Sequence, residues 1–383
     1  MPQRQDAHQR HCAHYVTYTN DYQSAYDLLD REFPQIQTAS DWLAQETDRT
    51  AAELLLSLVE YLSAYLQHRY LYQDLLIYCK RGLSSTQLLG ANAGWLHLLS
   101  YEAHWAIGEW DEARSSAESA IAATRLIDPT THARAVLALG RLQFNLGEYR
   151  AALQTLSEAE TLLAAIHDYD GVASVKAERA AYYLNRNELK KALSLYLEVD
   201  QLRQQLHPGD PTDHTLLMLG VVYRRLRDYR KAIEALSQLI QSGEAAGSLS
   251  AVATGTHHLA WVYYDTREFS QALNLGARAK EMYERINDPR GGSDADEQLG
   301  LIALANRDYA SARVCLECSL AVRQHLGNQQ GTASSLRRLA KLHLRQRNLL
   351  LGTRYLWRSL SLYQQIGMLG FRQLVNILGD LLK

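Results

Sequence analysis

Leu219-Gly220-Val221-Val222-Tyr223-Arg224-Arg225-Leu226-Arg227-Asp228-Tyr229-Arg230-Lys231-Ala232 holds a small residue inside an apolar helical run, a polar turn ending on an aromatic, and a second small residue twelve positions after the first. Outward from this stretch the first landmark recurs every 40 positions, at Gly140, Ala180, Gly220, Ala260, Gly300 and Ala340, with Tyr101 in the equivalent place 39 positions before the series. The second recurs at Ala113, Ala152, Ala192, Ala232, Ala272, Ala312 and Gly352. Between them runs a bulky, mostly aromatic column: Trp110, Tyr149, Leu189, Tyr229, Phe269, Tyr309 and Leu349. A repeat of this period without any β-rich run predicts a stacked helical array.

Two backbones approach closely only where a side chain is a hydrogen or a methyl, so the small columns are expected to mark the crossing of two antiparallel helices in each repeat. The bulky column follows a short polar turn, as in Leu146-Gly147-Glu148-Tyr149, and is expected to wedge between the helices and set their angle. The fold class expected is all-α, a right-handed α-solenoid of antiparallel helix pairs.

Leu219-Gly220-x-x-Tyr223 followed by Tyr229-x-x-Ala232 resembles the tetratricopeptide repeat signature, and Leu139-Gly140, Gly147, Tyr149 and Ala152 match it again. The resemblance covers about residues 92–370 as seven repeats. Its unit is 40 residues where the commonest form has about 34, similar to the longer-helix variety of kinesin light chains and of sensor regions in signalling NTPases. Ala51 to Leu66 and Leu71 to Leu83 keep a helical period and read as a degenerate repeat over residues 51–91. Residues 1–50 read as a helical linker or cap. Arg10-His11-x-x-x-Tyr15 and Glu32-x-x-x-Ile36-x-x-Ala39-x-x-Trp42 are similar to the linker that precedes the repeat sensor of STAND-type signalling NTPases. The chain thus resembles such a sensor without its NTPase. Residues 371–383, with the apolar run Phe371 to Leu382, read as a capping helix.

Composition agrees. Hydrophobic residues make up 47% and charged residues 21%, and there are only 6 prolines in 383 residues. Pro129, Pro208, Pro211 and Pro289 fall in expected inter-repeat turns, where a missing backbone donor does no harm. No run of 18 apolar residues exists and the first residues lack the apolar core of a signal peptide, so a cytoplasmic location is expected. Phosphate-cradling, hydrolase, zincin and dinucleotide motifs are all missing. No enzyme activity, cofactor or metal is expected. Cys12, Cys79, Cys315 and Cys318 are too few for a disulfide framework. Cys315-x-x-Cys318 lacks a second ligand pair and is expected to pack in the core. His11-Cys12-x-His14 lacks a fourth ligand for a metal.

Charge is unevenly placed. Cys318 to Gly379 contain no Asp or Glu but carry Arg323, Arg337, Arg338, Lys341, Arg345, Arg347, Arg354, Arg358 and Arg372. Asp380 cancels Lys383, so against a whole-chain charge of −2 the first 317 residues carry −11. This predicts an acidic protein or peptide partner first; nucleic acid and an end-to-end contact with a second copy are weaker readings, and no membrane contact is expected.

The resemblance further implies that the first helix of each repeat lines a concave groove. Family offsets from the small column select Leu137, Arg141, Phe144 and Asn145; Leu184 and Asn185; Leu217, Val221, Arg224 and Arg225; His257, Trp261, Tyr264 and Asp265; and Arg337, Lys341 and Arg345. Arginine offers bidentate pairing to carboxylates and tryptophan or tyrosine offers large amphipathic area, the residue types that dominate interface energies. The function expected is a scaffold or sensor binding a protein or peptide in that groove. Alternatives are a regulator whose solenoid changes on binding a signal peptide, and nucleic-acid binding through the basic C-terminal stretch.

Overall fold

The helices begin where the register places them. In a computed structural model, which describes residues 2–207 and 213–366 together with Leu374 and Gly379, the bulky column supplies the first residue of seven helices in succession: Trp110, Tyr149, Leu189, Tyr229, Phe269, Tyr309 and Leu349. Each is preceded by a three- or two-residue turn that ends on Asp, Asn or Glu, as in Leu226-Arg227-Asp228. Asp228, Asp308 and Asn348 accept a hydrogen bond from the backbone N–H three residues on, which satisfies one of the four orphan donors of the new helix. The middle turn residue is left-handed: glycine at 147, but Arg227, Arg267, Arg307 and Arg347 in the later repeats. There the Cβ costs about 1–2 kcal/mol, offset by two carbonyls capped per turn, as when Arg227 N–H meets Arg224 O and Asp228 N–H meets Tyr223 O.

The chain divides into two units. The first, Met1–Tyr182, contains α1 (Pro2–Asp21), α2 (Tyr26–Leu43), α3 (Arg49–His68), α4 (Tyr72–Leu89), α5 (Gly94–Ile107), α6 (Trp110–Thr124), α7 (Pro129–Asn145), α8 (Tyr149–Ala165) and most of α9 (Tyr169–Asn185). An apolar cluster joins its first five helices through Val16, Ile36, Leu58, Tyr65, Leu75 and Leu96. The second, Tyr183–Lys383, continues with α10 (Leu189–Leu206), α11 (Asp213–Arg225), α12 (Tyr229–Ala245), α13 (Leu249–Asp265), α14 (Phe269–Arg285), α15 (Pro289–Ala305), α16 (Tyr309–His325), α17 (Gln329–Arg345) and α18 (Leu349–Gln365). Each unit is all-α among the described residues, and each is a stack of antiparallel pairs in which a helix packs mainly on its chain neighbours. Pro208, Pro211 and the expected cap Phe371–Leu382 lie outside the described residues, apart from Leu374 and Gly379. Among the described residues no helix is long and apolar enough to cross a membrane.

The small columns do mark the crossings. A Cβ on Gly220 would stand 2.6 Å from Leu236 Cγ, one on Gly300 2.7 Å from Leu316 Cγ, and one on Gly140 2.8 Å from Leu156 Cδ2. Every partner is the leucine sixteen positions later, on the second helix of the same pair. The bulky column forms the wedge expected in some repeats only: Tyr229 packs against the buried cluster of Leu236, Leu239 and Leu259, and Tyr309 against that of Leu304 and Leu316. Trp110, Tyr149 and Leu349 are exposed because the first residue of a helix points its side chain back over the preceding turn. There it meets the end of the first helix: Trp105 with Trp110 at 5.5 Å, Phe144 with Tyr149 at 5.6 Å, Tyr264 with Phe269 at 5.8 Å between ring centroids.

Two further expectations are corrected. Cys318 is exposed and Cys315 half-buried, because Leu316 and Ser319 take the buried positions of that face; the pair is not core. The basic C-terminal stretch is partly neutralised from within: Arg323 is buried and ion-pairs with Glu297 and with Asp294 at 2.5 Å, while Arg338 meets Glu297 at 3.1 Å. Arg323 also donates to the Gly331 carbonyl at 3.2 Å and Ser335 Oγ at 2.8 Å, so one guanidinium ties α15, α16 and α17 together.

Gly220→Leu is expected to destabilise by about 1–3 kcal/mol or more through overpacking; an unchanged melting curve would contradict the crossing. Arg323→Met, which leaves the buried Glu297 carboxylate with Arg338 alone of its two cations, is expected to cost about 1.5–3 kcal/mol, read as a drop in denaturant midpoint. A drop below the scatter of surface variants would show the triad to be dispensable.

Candidate functional site

The last turn of a first helix carries the side chains nearest its open face, and in the second unit two such turns meet. Arg224, on the last turn of α11, lies with its guanidinium 5.5 Å from the centroid of the Trp261 ring on α13. Its Nε stands 3.7 Å from Asp265 Oδ2, one turn after Trp261. Tyr264 meets the same indole edge-to-face at 5.5 Å. Trp261 and Tyr264 rest on an apolar floor of Leu301, Leu304 and Leu339 from α15 and α17. The result is a half-buried cation over an aromatic plate, with a carboxylate at its rim. Burial draws the Arg224 guanidinium below its ordinary range, against the pull of Asp265, and lifts the Asp265 carboxyl above its own, against Arg224. A cation–π contact of this kind contributes about 0.5–2 kcal/mol, and the Arg224 side chain stays 22% exposed.

Beneath the plate, the Trp261 indole N–H donates to His257 Nε2 at 3.2 Å. That bond assigns the proton to Nδ1, which has no hydrogen-bond partner among the described residues. His258 is the neighbouring imidazole, its ring centroid 5.3 Å away. Burial first, and then Arg224 nearby, pulls His257 down to about 4, while Glu297 opposes; burial, His257 and Arg224 take His258 to about 3. Gln298 Nε2 donates to the His257 carbonyl at 3.1 Å and locks α15 against α13.

The structure therefore brings together Arg224, His257, Trp261 and Tyr264, with Asp265 beside them. It gives Arg225 a different environment: Nη1 donates to the Leu184 carbonyl and Nη2 to Asn187 Oδ1, both at 3.0 Å, which clasps the turn after α9. Asn185 is exposed at the end of α9. Arg337, Lys341 and Arg345 follow one face of α17 at intervals of four, half-buried at 337 and 341 and exposed at 345. In the first unit Arg141 pairs through Nε with Glu178 Oε1 at 2.9 Å, Phe144 packs edge-on to Tyr149 and Tyr182, and Asn145 donates back to the Arg141 carbonyl. Leu137 and Leu184 are buried.

Glu297 escaped the sequence reading although the same offset that selects His257 and Arg337 selects it from Gly300. The offsets applied to Tyr101 likewise yield Glu102 and Trp105. Among the described residues no group of three or more His, Cys, Asp or Glu is placed to hold a metal.

Helix pairs of this register and geometry define a tetratricopeptide repeat fold. Tetratricopeptide repeat family models match residues 214–242 and 252–290, the two repeats that carry the Arg224–Trp261 cluster. No curated protein matches the sequence. Among solved structures, a Rap protein complexed with Competence and Sporulation Factor aligns at a TM-score of 0.62 and 13% identity, over 93% of this chain and 98% of that one. The STAND protein with a tetratricopeptide repeat sensor from Pyrococcus horikoshii aligns at 0.59 and 14%, over 88% of this chain and 54% of that one. This chain thus spans about half the length of the archaeal protein. The apo quorum sensor NprR from B. thuringiensis aligns at 0.50 and 13%, over 91% and 87%. The similarity is one of fold.

Both imidazoles are neutral when folded, whereas an unfolded histidine protonates near pH 6.5. The unfolded chain therefore binds more protons below that pH, and stability contributed by the pair is present above about 6.5 and is lost as pH falls toward about 4. His258→Gln is expected to flatten the decline of melting temperature over that window; a slope identical to wild type would remove the pair from the acid response.

Proposed function

We propose that the chain is a non-enzymatic scaffold or sensor that takes a protein or peptide segment along the first helices of its repeats. In this proposal seven repeats occupy 92–370, flanked by a degenerate repeat over 51–91, a linker or cap over 1–50 and a capping segment over 371–383. The observation that carries the proposal is the Arg224–Trp261 plate: a cation and two rings, half-buried yet open at one edge, on helices whose other faces are already packed. Arginine and tryptophan with tyrosine are the residues that concentrate interface energy, and here their positions are held by Asp265, His257 and the leucine floor before any partner arrives. Arg337, Lys341 and Arg345 add a positive face on α17 that suits an acidic segment.

A sensor role is the finer version of the same proposal. It is supported by fold similarity to a Rap protein seen with Competence and Sporulation Factor and to a quorum sensor. A cytoplasmic setting accompanies it, consistent with the buried free thiols of Cys12 and Cys79.

The test compares retention of partners from lysate and of random peptides displayed on phage by three full-length proteins. Arg224→Ala with Trp261→Ala is expected to weaken a retained partner by about tenfold or more while far-UV helicity is kept. Arg225→Ala, which loses the clasp on the α9 turn, is expected instead to lower the melting temperature. Retention indifferent to the Arg224 and Trp261 pair would overturn the site and move attention to α17. Binding lost steeply with added salt, and shared by any polyanion, would favour nucleic acid.

A further inference from the structure

One repeat reverses the packing of the glycine crossings. Where six repeats place glycine or alanine on the first helix, α5 places Tyr101, and the position sixteen residues on, which is Leu156, Leu236 and Leu316 opposite the three glycines, is Ala117. Tyr101 is buried with Ala113, Ala117 and Leu142, so the bulk at this crossing is supplied by the first helix and the space by the second. The ring also reaches the wall of a cavity of about 500 Å³, open to solvent on one side, which lies entirely within the first unit. That size falls in the range of about 300–1,000 Å³ usual for ligand pockets. Tyr72 from α4 and Trp105 from α5 share the lining, and Trp105 lies 5.9 Å from Tyr101 between ring centroids at 40°.

The charges around these rings are unequal. Glu102 and Glu178 line the cavity against one guanidinium, Arg141. Arg141 is committed to Glu178 at 2.9 Å. Glu102 receives only a neutral donor, Gln67 Nε2 at 2.6 Å, and has no ion-pair partner among the described residues. It remains accessible to solvent at the mouth of the cavity. Removal of water from its carboxylate lifts the carboxyl above the ordinary range, and the Gln67 donor and Arg141 only partly oppose this. A carboxylate with no ion-pair contact of its own, set beside three aromatic rings, is complementary to one class of group: a cation that can lie on a ring face while it donates to the carboxylate.

We propose that this pocket receives a positively charged side chain, lysine or arginine, of the bound segment. The inference rests on the peptide-binding function proposed above and names one residue class of its ligand. It also divides recognition between the units: the Arg224 plate and α17 suit acidic groups, whereas the Tyr101 pocket suits a basic one. Glu102 and Trp105 occupy the same offsets from Tyr101 that Arg141 and Phe144 occupy from Gly140, so the pocket sits on the face that the register assigns to the groove.

The full-length protein is titrated with L-argininamide, tetramethylammonium and N-acetylglutamate, following the fluorescence difference between wild type and Trp105→Phe. In parallel, two hexapeptides identical except for a central Arg or Glu are titrated calorimetrically. Saturable quenching by argininamide and not by N-acetylglutamate is expected, weakened about tenfold by Glu102→Gln, the worth of one charge-assisted contact. Tyr72→Ala, at the first residue of α4, is expected to weaken it as well, and Arg224→Ala to leave it unchanged. Melting curves of each variant confirm that the fold is kept. An equal response to N-acetylglutamate, or an affinity unmoved by Glu102→Gln and Tyr72→Ala, overturns the pocket. Argininamide binding with neither hexapeptide bound keeps the pocket and removes the peptide function. Peptides bound regardless of the central residue and of Glu102 do the reverse.

Discussion

The distance between two helix backbones at Gly220, Gly140 and Gly300 governs everything else in this protein. At each, a leucine side chain on the partner helix comes within 2.6 to 2.8 Å of where a Cβ would be. A crossing that close permits one relative orientation of the two helices, and through it one face of the first helix is turned away from its partner. The residues on that face, one and four positions after the glycine, are half-buried at Arg141, Phe144, Val221 and Arg224, while Leu301 and Leu304 in the corresponding places after Gly300 are buried under Trp261 and Tyr264.

Departures from the rule are where the molecule becomes specific. Tyr101 opposite Ala117 keeps the summed volume of a crossing but moves the ring to the other helix, where part of it faces a cavity. In α15 the departure is electrostatic. Its buried surface runs from Ser293 to Leu304 almost without interruption and includes Asp296, Glu297 and Gln298. Burying these groups is costly unless each is paired. Lys280 pairs Asp296 at 2.8 Å, Arg323 and Arg338 pair Glu297, and Gln298 reaches a carbonyl of α13. Charges that a linear count assigns to a basic tail therefore do structural service across three helices.

The same economy separates neighbouring arginines. Arg224 and Arg225 are adjacent in sequence and 100° apart around a helix. One is laid on Trp261 with an edge to solvent; the other closes the turn of the preceding pair. Substitution of the two together would mix the binding effect proposed for Arg224 with loss of the Arg225 clasp on the preceding turn, and only the geometry separates them. The buried imidazoles under Trp261 belong to the scaffold side of this division, since the indole bond and the Gln298 contact hold the plate in position.

The period of 40, the two small columns, the polar turns and the aromatic that opens each second helix were legible in the chain, because each is a local demand: a crossing needs a missing side chain, a turn needs a left-handed residue and a cap, and both repeat with the unit. The same register marks one face of each first helix, and Glu102 and Trp105 stand on it after Tyr101 as Glu297 does before Gly300. What tertiary structure alone decided is the state of each side chain on that face. Whether an arginine is a free edge, a clasp or a buried counter-ion, whether Cys318 is core or surface, and whether Tyr101 fills a crossing or lines a cavity all depend on atoms contributed 12 to 41 residues away. A linear pattern records which residues share a face; it does not record which partner reaches them first.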